Sequence, residues 1–300
     1  HRTRQVSSKP SGGSKSSKRT TEKLSKSLNS TDQYFWYTSL DKVRRLVTCS
    51  GNLNETPLCI NEYMLDPTKF ARRAFSQPLP SDVVWPPRKA CDVLRALVSK
   101  SDICVGGTAF SVAKCRKLRC QHTFKDWRAT MASWQDYFEL RETTGRGIGV
   151  YTKKAFRRGD ILGYYAGEVM PDCLNHDNND YLMDVPLDFE FASRRSSSSS
   201  WQSGSENQAS SSTADLAADA AIIIDGRLKG NWTRFINHSC DSHACFKSCR
   251  VGDMRIMAVC AVKAIPAGVE LTVDYGKGYY GPQTKKICKC GAKNCVTKLR

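Results

Sequence analysis

The second half of the chain alternates short apolar runs with glycine, proline and charged turns, a pattern of many brief strands rather than long helices. Ile161 to Val169 reads as one strand, entered through the turn Arg158-Gly159-Asp160. Strand-like sequence resumes at Ala221-Ile222-Ile223-Ile224. It continues in Arg255 to Val262 and Glu270 to Val273, which are joined through the turn Ile265-Pro266-Ala267-Gly268. Upstream, Gly145-Arg146-Gly147-Ile148-Gly149-Val150-Tyr151 is a glycine loop leading into a further short strand. The expected class is therefore mainly β with short helices (α+β).

Two stretches break the pattern. Residues 1–30 hold eight Lys or Arg, nine Ser and a single acid, Glu22. With so little apolar surface to bury, they are expected to form a disordered basic tail. Arg194 to Thr213, with serines at all of 196–200, is expected to be an exposed insertion, because strand-like sequence follows it. Order is expected to begin near Tyr34-Phe35-Trp36-Tyr37, an aromatic cluster that reads as core rather than as a ligand platform. Residues 31–90 carry no legible motif, and Pro78, Pro80, Pro86 and Pro87 mark a break before Cys91. The division that results is a tail at 1–30, an N-terminal region at 31–90, a cysteine-containing segment at 91–135, a domain at 136–276 and a C-terminal cysteine segment at 277–300.

Composition changes this picture in three places. Lys and Arg outnumber Asp and Glu by 46 to 29, which favours a polyanionic neighbourhood such as nucleic acid or chromatin over a basic protein with no acidic partner. No apolar run approaches the ~18 residues of a membrane span, so no membrane association is expected. The chain opens at His1 without a signal-peptide pattern and reads as a piece of something longer. Fourteen cysteines could mean secretion and disulfides, but the spacing of the last ones reads as metal ligation.

The candidate chemistry sits in four short motifs. The triplet Gly147-Ile148-Gly149 means nothing alone, since about one such match is expected by chance at this glycine content, and it lacks the third glycine of a dinucleotide fingerprint. Tyr164-Tyr165-Ala166-Gly167-Glu168 ends a strand with an aromatic pair, which is ordinarily packing. Arg234-Phe235-Ile236-Asn237-His238-Ser239-Cys240 crowds a guanidinium, an amide, an imidazole and a thiol into seven residues. A merely structural segment would have to satisfy each of those groups on burial. Glu270-Leu271-Thr272-Val273-Asp274-Tyr275-Gly276 ends a strand with a phenol.

In this order the four motifs resemble the SET domain of protein lysine methyltransferases, over about 145–276 and, with the last cysteines, through 295. The resemblance implies a β fold with a C-terminal pseudoknot and a zinc-bound post-SET loop. It implies a histone-lysine N-methyltransferase using S-adenosylmethionine, acting on a histone tail (H3) or nucleosome, nuclear and chromatin-associated, with DNA contact through the basic tail. Arg146, Gly147, Ile148 and Gly149 would wrap the cofactor, bare backbone approaching it closely. Arg234, Phe235, Asn237 and His238 would complete the pocket, with Tyr181 as a further wall. Tyr275 would be the catalytic phenol at the inner end of a lysine channel that Tyr165 lines. The alternatives are a degenerate SET module that binds chromatin without catalysis, and an enzyme with a non-histone substrate.

Cys288-x-Cys290-x4-Cys295 puts three thiols in a glycine-containing loop, suggesting tetrahedral zinc, which normally takes four ligands. The resemblance to a post-SET segment makes Cys240 the fourth, with Lys285, Lys286, Lys289 and Lys293 placed to offset the thiolate charge. Cys91, Cys104, Cys115 and Cys120, followed by Gln121-His122, resemble the end of a degenerate pre-SET, "associated with SET" cysteine motif. They form a second candidate metal set. Cys49, Cys59, Cys173, Cys245, Cys249 and Cys260 read as ordinary buried or free thiols. Departures from the family pattern are Ser242, His243, Ile148 and Val273, none of which removes a group the reaction needs.

Overall fold

The computed structural model describes residues 33–48, 56–70, 84–112, 115, 117, 119–172, 179–186, 222–280 and 284–297. The basic stretch 1–30, the Ser-rich stretch 194–213, Cys49 and Cys173 lie outside the described residues.

Strands begin in the region without a legible motif: β1 (Trp36–Thr38), β2 (Arg44–Leu46), β3 (Leu58–Cys59) and β4 (Met64–Leu65). β5 (Ser111–Val112) belongs to the cysteine-containing segment. Then come β6 (Phe138–Thr143), β7 (Gly147–Thr152), β8 (Asp160–Tyr164), β9 (Glu168–Pro171), β10 (Leu182–Val185) and β11 (Ile222–Asp225). The last are β12 (Lys229–Gly230), β13 (Asn237–His238), β14 (Ala244–Val251), β15 (Met254–Ala261) and β16 (Glu270–Val273).

The largest sheet runs β2-β1-β6-β7-β16-β14-β15-β8-β5, with β13 paired to β16. A second sheet runs β10-β11-β9-β4, and β12 pairs with β3. The N-terminal region is thus built into all three sheets. β1 continues the main sheet beside β6, β3 lies along β12, and β4 lies along β9. Strands of two or three residues carry no readable period, so nothing in that region's pattern announces them.

Two departures from the expected strands matter for the site. Ile161 to Val169 is not one strand but two, β8 and β9, broken at Tyr165-Ala166-Gly167. At the break Tyr165 N still donates to Met257 O, at 2.8 Å. The chain then passes so close to β11 that a Cβ on Gly167 would lie 2.3 Å from Asp225 O, which only glycine permits. The other departure is β14, whose Lys247, Ser248 and Arg250 hide a strand eight residues long. It forms a hairpin with β15 in register from Ala244↔Ala261 to Val251↔Met254, turning at Gly252-Asp253 with Gly252 at φ 59°.

β16 enters between β7 and β14, antiparallel to the first and parallel to the second. Asn237↔Thr272 and His238↔Val273 put β13 beside it in parallel, the contact a pseudoknot of these segments requires. One apolar cluster gathers Leu94, Trp127, Tyr164, Ile224 and Ile256. Another gathers Phe35, Phe138, Val150, Trp232 and Leu271. In the latter, Phe138 stacks against Trp232 and Phe156 with centroids 4.2 and 5.2 Å apart. Phe35 from the N-terminal aromatic cluster packs edge-on to Phe235 at 4.9 Å. Among the described residues no helix is long and apolar enough to cross a membrane.

Candidate active site and metal centres

The glycine loop is a turn followed by an edge that must lie bare. Gly145 and Gly147 adopt φ 71° and 69°, the left-handed region that other residues avoid. Gly149 is constrained differently: a Cβ there would meet Glu270 Oε1 at 2.6 Å and Thr143 Cγ2 at 2.8 Å. Glu270 is the hub of this corner. It accepts from Arg146 Nη2 through one oxygen and from Asn237 Nδ2, at 2.9 Å, through the other. The first residue of β16 therefore ties the glycine loop to the Asn-His motif, a role its place in the sequence did not announce. Gly149→Ala is expected to cost ~1–3 kcal/mol of stability by overpacking. A thermal melt beside a cofactor titration checks it, with both expected to worsen together.

Tyr275 follows β16 and is 36% exposed as a residue, yet its hydroxyl turns inward and donates to Ile236 O at 2.6 Å. Its backbone N–H donates to His238 Nδ1 at 3.0 Å. Burial lowers the His238 pKa, with Asp274 pulling the other way, so the ring is neutral near pH 7. With Nδ1 accepting, the proton sits on Nε2, which faces Cys240 Sγ at 3.3 Å. Burial first, then neighbouring phenols, pushes the Tyr275 hydroxyl well above its ordinary range. Tyr279 and Tyr280, from the short helix Lys277–Tyr280, surround it with centroids 5.1 and 6.4 Å away.

Tyr165, at the break between β8 and β9, is buried and donates to Tyr181 O at 2.7 Å. Burial holds its phenol far above the usual value too. Phe246 of β14 stands edge-on to it, with centroids 5.6 Å apart and planes at 90°. Val273, one of the departures from the family pattern, is fully buried in the apolar cluster around Phe138.

A cavity of about 300 Å³ opens beside Tyr275, lined by Gly145, Arg146, Asn237, His238, Tyr275, Tyr279, Tyr280 and residues 287–290. Pockets of a few hundred Å³ with a few convergent polar groups suit small ligands. Of the expected cofactor residues, Arg146, Asn237 and His238 border this cavity, whereas Gly147, Ile148, Gly149 and Tyr181 do not, the Ile148 carbonyl accepting from Asn237 Nδ2 at 3.4 Å. Arg234 and Phe235 do not line it. Arg234 is buried, with Nε on Gly226 O at 2.7 Å and Nη2 on Arg227 O at 2.9 Å. Its guanidinium lies between the rings of Tyr181 and Phe235, at 4.1 and 4.6 Å. It thereby places Tyr181, whose carbonyl holds Tyr165.

The four thiols of Cys240, Cys288, Cys290 and Cys295 lie within 4.8 Å of one another. Thiolates about 2.3 Å from one zinc stand about 3.8 Å apart in a tetrahedron. Cys240 and Cys288 are separated by 3.9 Å. Backbone N–H groups of Val296 and Cys290 point at Cys240 and Cys288, at 3.5 and 3.4 Å, as thiolate acceptors require. The donor set fits zinc. Lys286, expected to offset its charge, is engaged elsewhere: its ammonium sits 2.5 Å from Asp180 Oδ1 and 3.7 Å over Tyr279.

The upstream cysteines differ from expectation. Cys104, Cys115 and Cys120 come together, but the fourth member is His122. Cys91 lies instead on the helix Ala90–Ala96, with its thiol 3.7 Å from Asp92 Oδ1. A lone histidine two residues past a cysteine carries little signal in a sequence. Cys249 and Cys260 are buried in the core, as expected of ordinary thiols.

The SET domain family model matches residues 147–276. Histone-lysine N-methyltransferase NSD3 of Mus musculus is 31% identical over 158 residues, covering 52% of this chain and 9% of that protein. Histone-lysine N-methyltransferase ash1 of Drosophila melanogaster is 28% identical over 153 residues, covering 51% and 6%. A histone-lysine N-methyltransferase, H3 lysine-36 specific, of Candida albicans is 42% identical over 74 residues, covering 25% and 9%. The chain thus spans less than a tenth of the length of these three relatives. A solved structure described as ctPRC2 in an autoinhibited conformation bound to S-adenosylmethionine aligns with 48% of this chain and 15% of that one, at 20% identity and a TM-score of 0.34. The glycine loop from Gly147 onward, the Asn-His-Ser-Cys run and the strand that leads to Tyr275 all fall inside the matched span, and residues 147–276 of this chain are a SET domain.

Proposed function

We propose that this chain is a protein-lysine N-methyltransferase that uses S-adenosylmethionine and methylates a histone lysine. The observation that carries the reading is the inward-turned hydroxyl of Tyr275 at a cavity walled by Arg146, Asn237 and His238, with the phenol of Tyr165 buried in the core. When bound, S-adenosylmethionine would supply the activated methyl group. Arg146, Asn237 and His238 would hold it. The chemistry it would supply is an in-line displacement, the methyl passing to the lysine nitrogen and the electron pair of the broken bond staying on sulfur. Such a reaction depends on alignment and on a suitable electrostatic environment.

The phenols are fitted to that task as neutral groups. With both pKa values raised by burial, neither is a base near pH 7, so each orients rather than takes a proton. The substrate amine must shed its proton before attack, and an aromatic, dry channel favours its neutral form. The histone substrate, the nuclear setting and DNA contact through the tail of residues 1–30 rest on the relatives' names and on the excess of 46 basic over 29 acidic residues.

The test is transfer of labelled methyl groups by the purified chain to histones, nucleosomes and lysine-containing peptide arrays, beside a thermal shift with S-adenosylmethionine. Stabilisation together with transfer to histone lysine is expected. Stabilisation with no transfer to any substrate would point to a binding module, and transfer only to other proteins would replace the histone.

Phe246 governs how many methyl groups fit. It faces Tyr165 and brings no hydroxyl that could anchor a water in the room that added methyls would need. The wild type is expected to give di- or trimethyllysine at long reaction times, and Phe246→Tyr to shift the product toward monomethyllysine. Mass spectrometry of the peptide product reads both.

A further inference from the structure

The 3₁₀ turn Trp232–Phe235, with Ile236 after it, anchors both phenols of the proposed reaction. From Ile236 the link is direct, its carbonyl accepting from the Tyr275 hydroxyl at 2.6 Å. From Arg234 the link runs through the backbone of another segment. Arg234 Nε donates to Gly226 O at 2.7 Å. Gly226 N donates to Tyr181 O at 2.9 Å, and the Tyr165 hydroxyl donates to that same oxygen at 2.7 Å.

Two features show that this chain of bonds holds the Tyr165 oxygen in one place. A Cβ on Gly226 would lie 2.7 Å from that oxygen and 3.0 Å from Tyr165 Cζ, so a larger residue would push the ring aside. The second feature is the guanidinium itself. Arg234 is buried, and among the described residues no carboxylate pairs with it. A buried cation without a counter-charge costs stability, so packing alone does not account for it. Its planar fork does, because one group reaches the successive carbonyls of Gly226 and Arg227 while lying 4.1 Å from the Tyr181 ring.

The consequence is chemical. Tyr165 has one O–H, and the Tyr181 carbonyl takes it, so the phenol oxygen can meet a substrate amine only as an acceptor. Burial keeps that proton in place, with the charge of Arg234 pulling the other way. Tyr275, whose proton lies on Ile236 O, is an acceptor for the same reason. A neutral lysine amine has two N–H groups and one lone pair. Two acceptors of fixed spacing would take the N–H groups and leave the lone pair free for the displacement.

We propose that Arg234 is a positioning residue for methyl transfer, which through Gly226 and Tyr181 fixes the Tyr165 oxygen as an acceptor for the substrate amine. The inference rests on the methyltransferase reading, and it sets Arg234 apart from Arg146, Asn237 and His238, which face the cofactor cavity.

Arg234→Lys keeps the charge but reaches a single carbonyl and does not stack. On a lysine peptide its turnover should fall ~10-fold, with the peptide KM and S-adenosylmethionine affinity within about twofold of wild type. In a Tyr165→Phe background the same change should cost less than about twofold, because the oxygen that it positions is already gone. A residue that only stabilised the fold would cost both backgrounds alike. Gly226→Ala leaves the guanidinium in place and displaces the phenol, so it should reproduce the loss of turnover, and it serves if the lysine variant does not fold. The wild type supplies a further reading: with carbon-13-labelled tyrosine, nuclear magnetic resonance should show the Tyr165 hydroxyl proton in slow exchange. Equal losses in both backgrounds, weakened cofactor binding at unchanged turnover, or a rapidly exchanging Tyr165 hydroxyl would overturn the assignment. A wild-type chain that transfers no methyl group to any substrate would instead overturn the reading on which it rests.

Discussion

Replacing Tyr275 with phenylalanine is expected to lower methyl transfer by ~10²–10³-fold while leaving S-adenosylmethionine binding within about twofold. The ring would keep its place among His238, Tyr279 and Tyr280, because those contacts belong to the aromatic face. The backbone bond to His238 would also survive. What disappears is the hydroxyl fixed on Ile236 O, the one polar group of this side chain turned toward the interior. The loss should therefore fall on turnover, with little change in the cofactor concentration needed for half-saturation. Steady-state kinetics against a histone peptide, with calorimetry for the cofactor, separates the two. A variant with near-normal turnover would remove Tyr275 from the chemistry.

Removing the C-terminal metal is expected to act on cofactor binding instead. Cys295→Ser should release one zinc per chain, weaken S-adenosylmethionine binding by ~10-fold or more and depress turnover with it. Cys295 is almost wholly buried and does not line the cavity, so a direct contact cannot account for such an effect. Its partners Cys288 and Cys290 do form a wall, with Ile287 and Lys289 before and between them. Binding of structural zinc supplies much of the folding free energy of small thiolate loops. Without it the wall has few apolar contacts of its own, since Ile287 is 68% exposed. His238 is touched as well, because its Nε2 faces Cys240 while its Nδ1 receives Tyr275. Metal analysis and calorimetry on the same preparation check the prediction. Unchanged cofactor affinity in a chain that has lost this zinc would refute it.

The parts of the site that were legible were those in which several chemically distinct groups stand together in the sequence. Asn237, His238 and Cys240 lie within one run, and Tyr275 ends a strand five residues after Glu270. The C-terminal thiols were legible for the same reason, their ligand spacing being short. What escaped notice depends on contacts between distant segments. Glu270 looked like the polar start of a strand, and only pairing β16 with β7 and with β13 brings it to Arg146 and Asn237. His122 gains a role only when Cys104 arrives from eighteen residues upstream. Arg234 was expected in the pocket because it belongs to the motif, yet burial turns it onto two carbonyls behind Tyr181. β14 was hidden because Ser248 and Arg250, polar by type, are satisfied by Asp102 and the upstream segment and so can face inward. Strand patterns read apolar residues as inward, and here the inward partners were polar.

The position of β16 has a consequence for how the molecule is made. This strand lies in the interior of the largest sheet, between β7 and β14, yet it is the last in chain order of the described strands. Until it arrives, β7 and β14 each present an unpaired edge, the kind of surface that recruits strands from other chains. The hairpin β14–β15 can close locally, as can β6–β7, but joining them waits for residues 270–273. Such long-range closure is slow compared with hairpin formation. A polypeptide still emerging from the ribosome would hold two half-sheets, with Tyr275 not yet in place. The main sheet is therefore closed in one late step, before the wall of residues 287–290 can be laid against Tyr275, and a chain that stalls short of it is prone to aggregate.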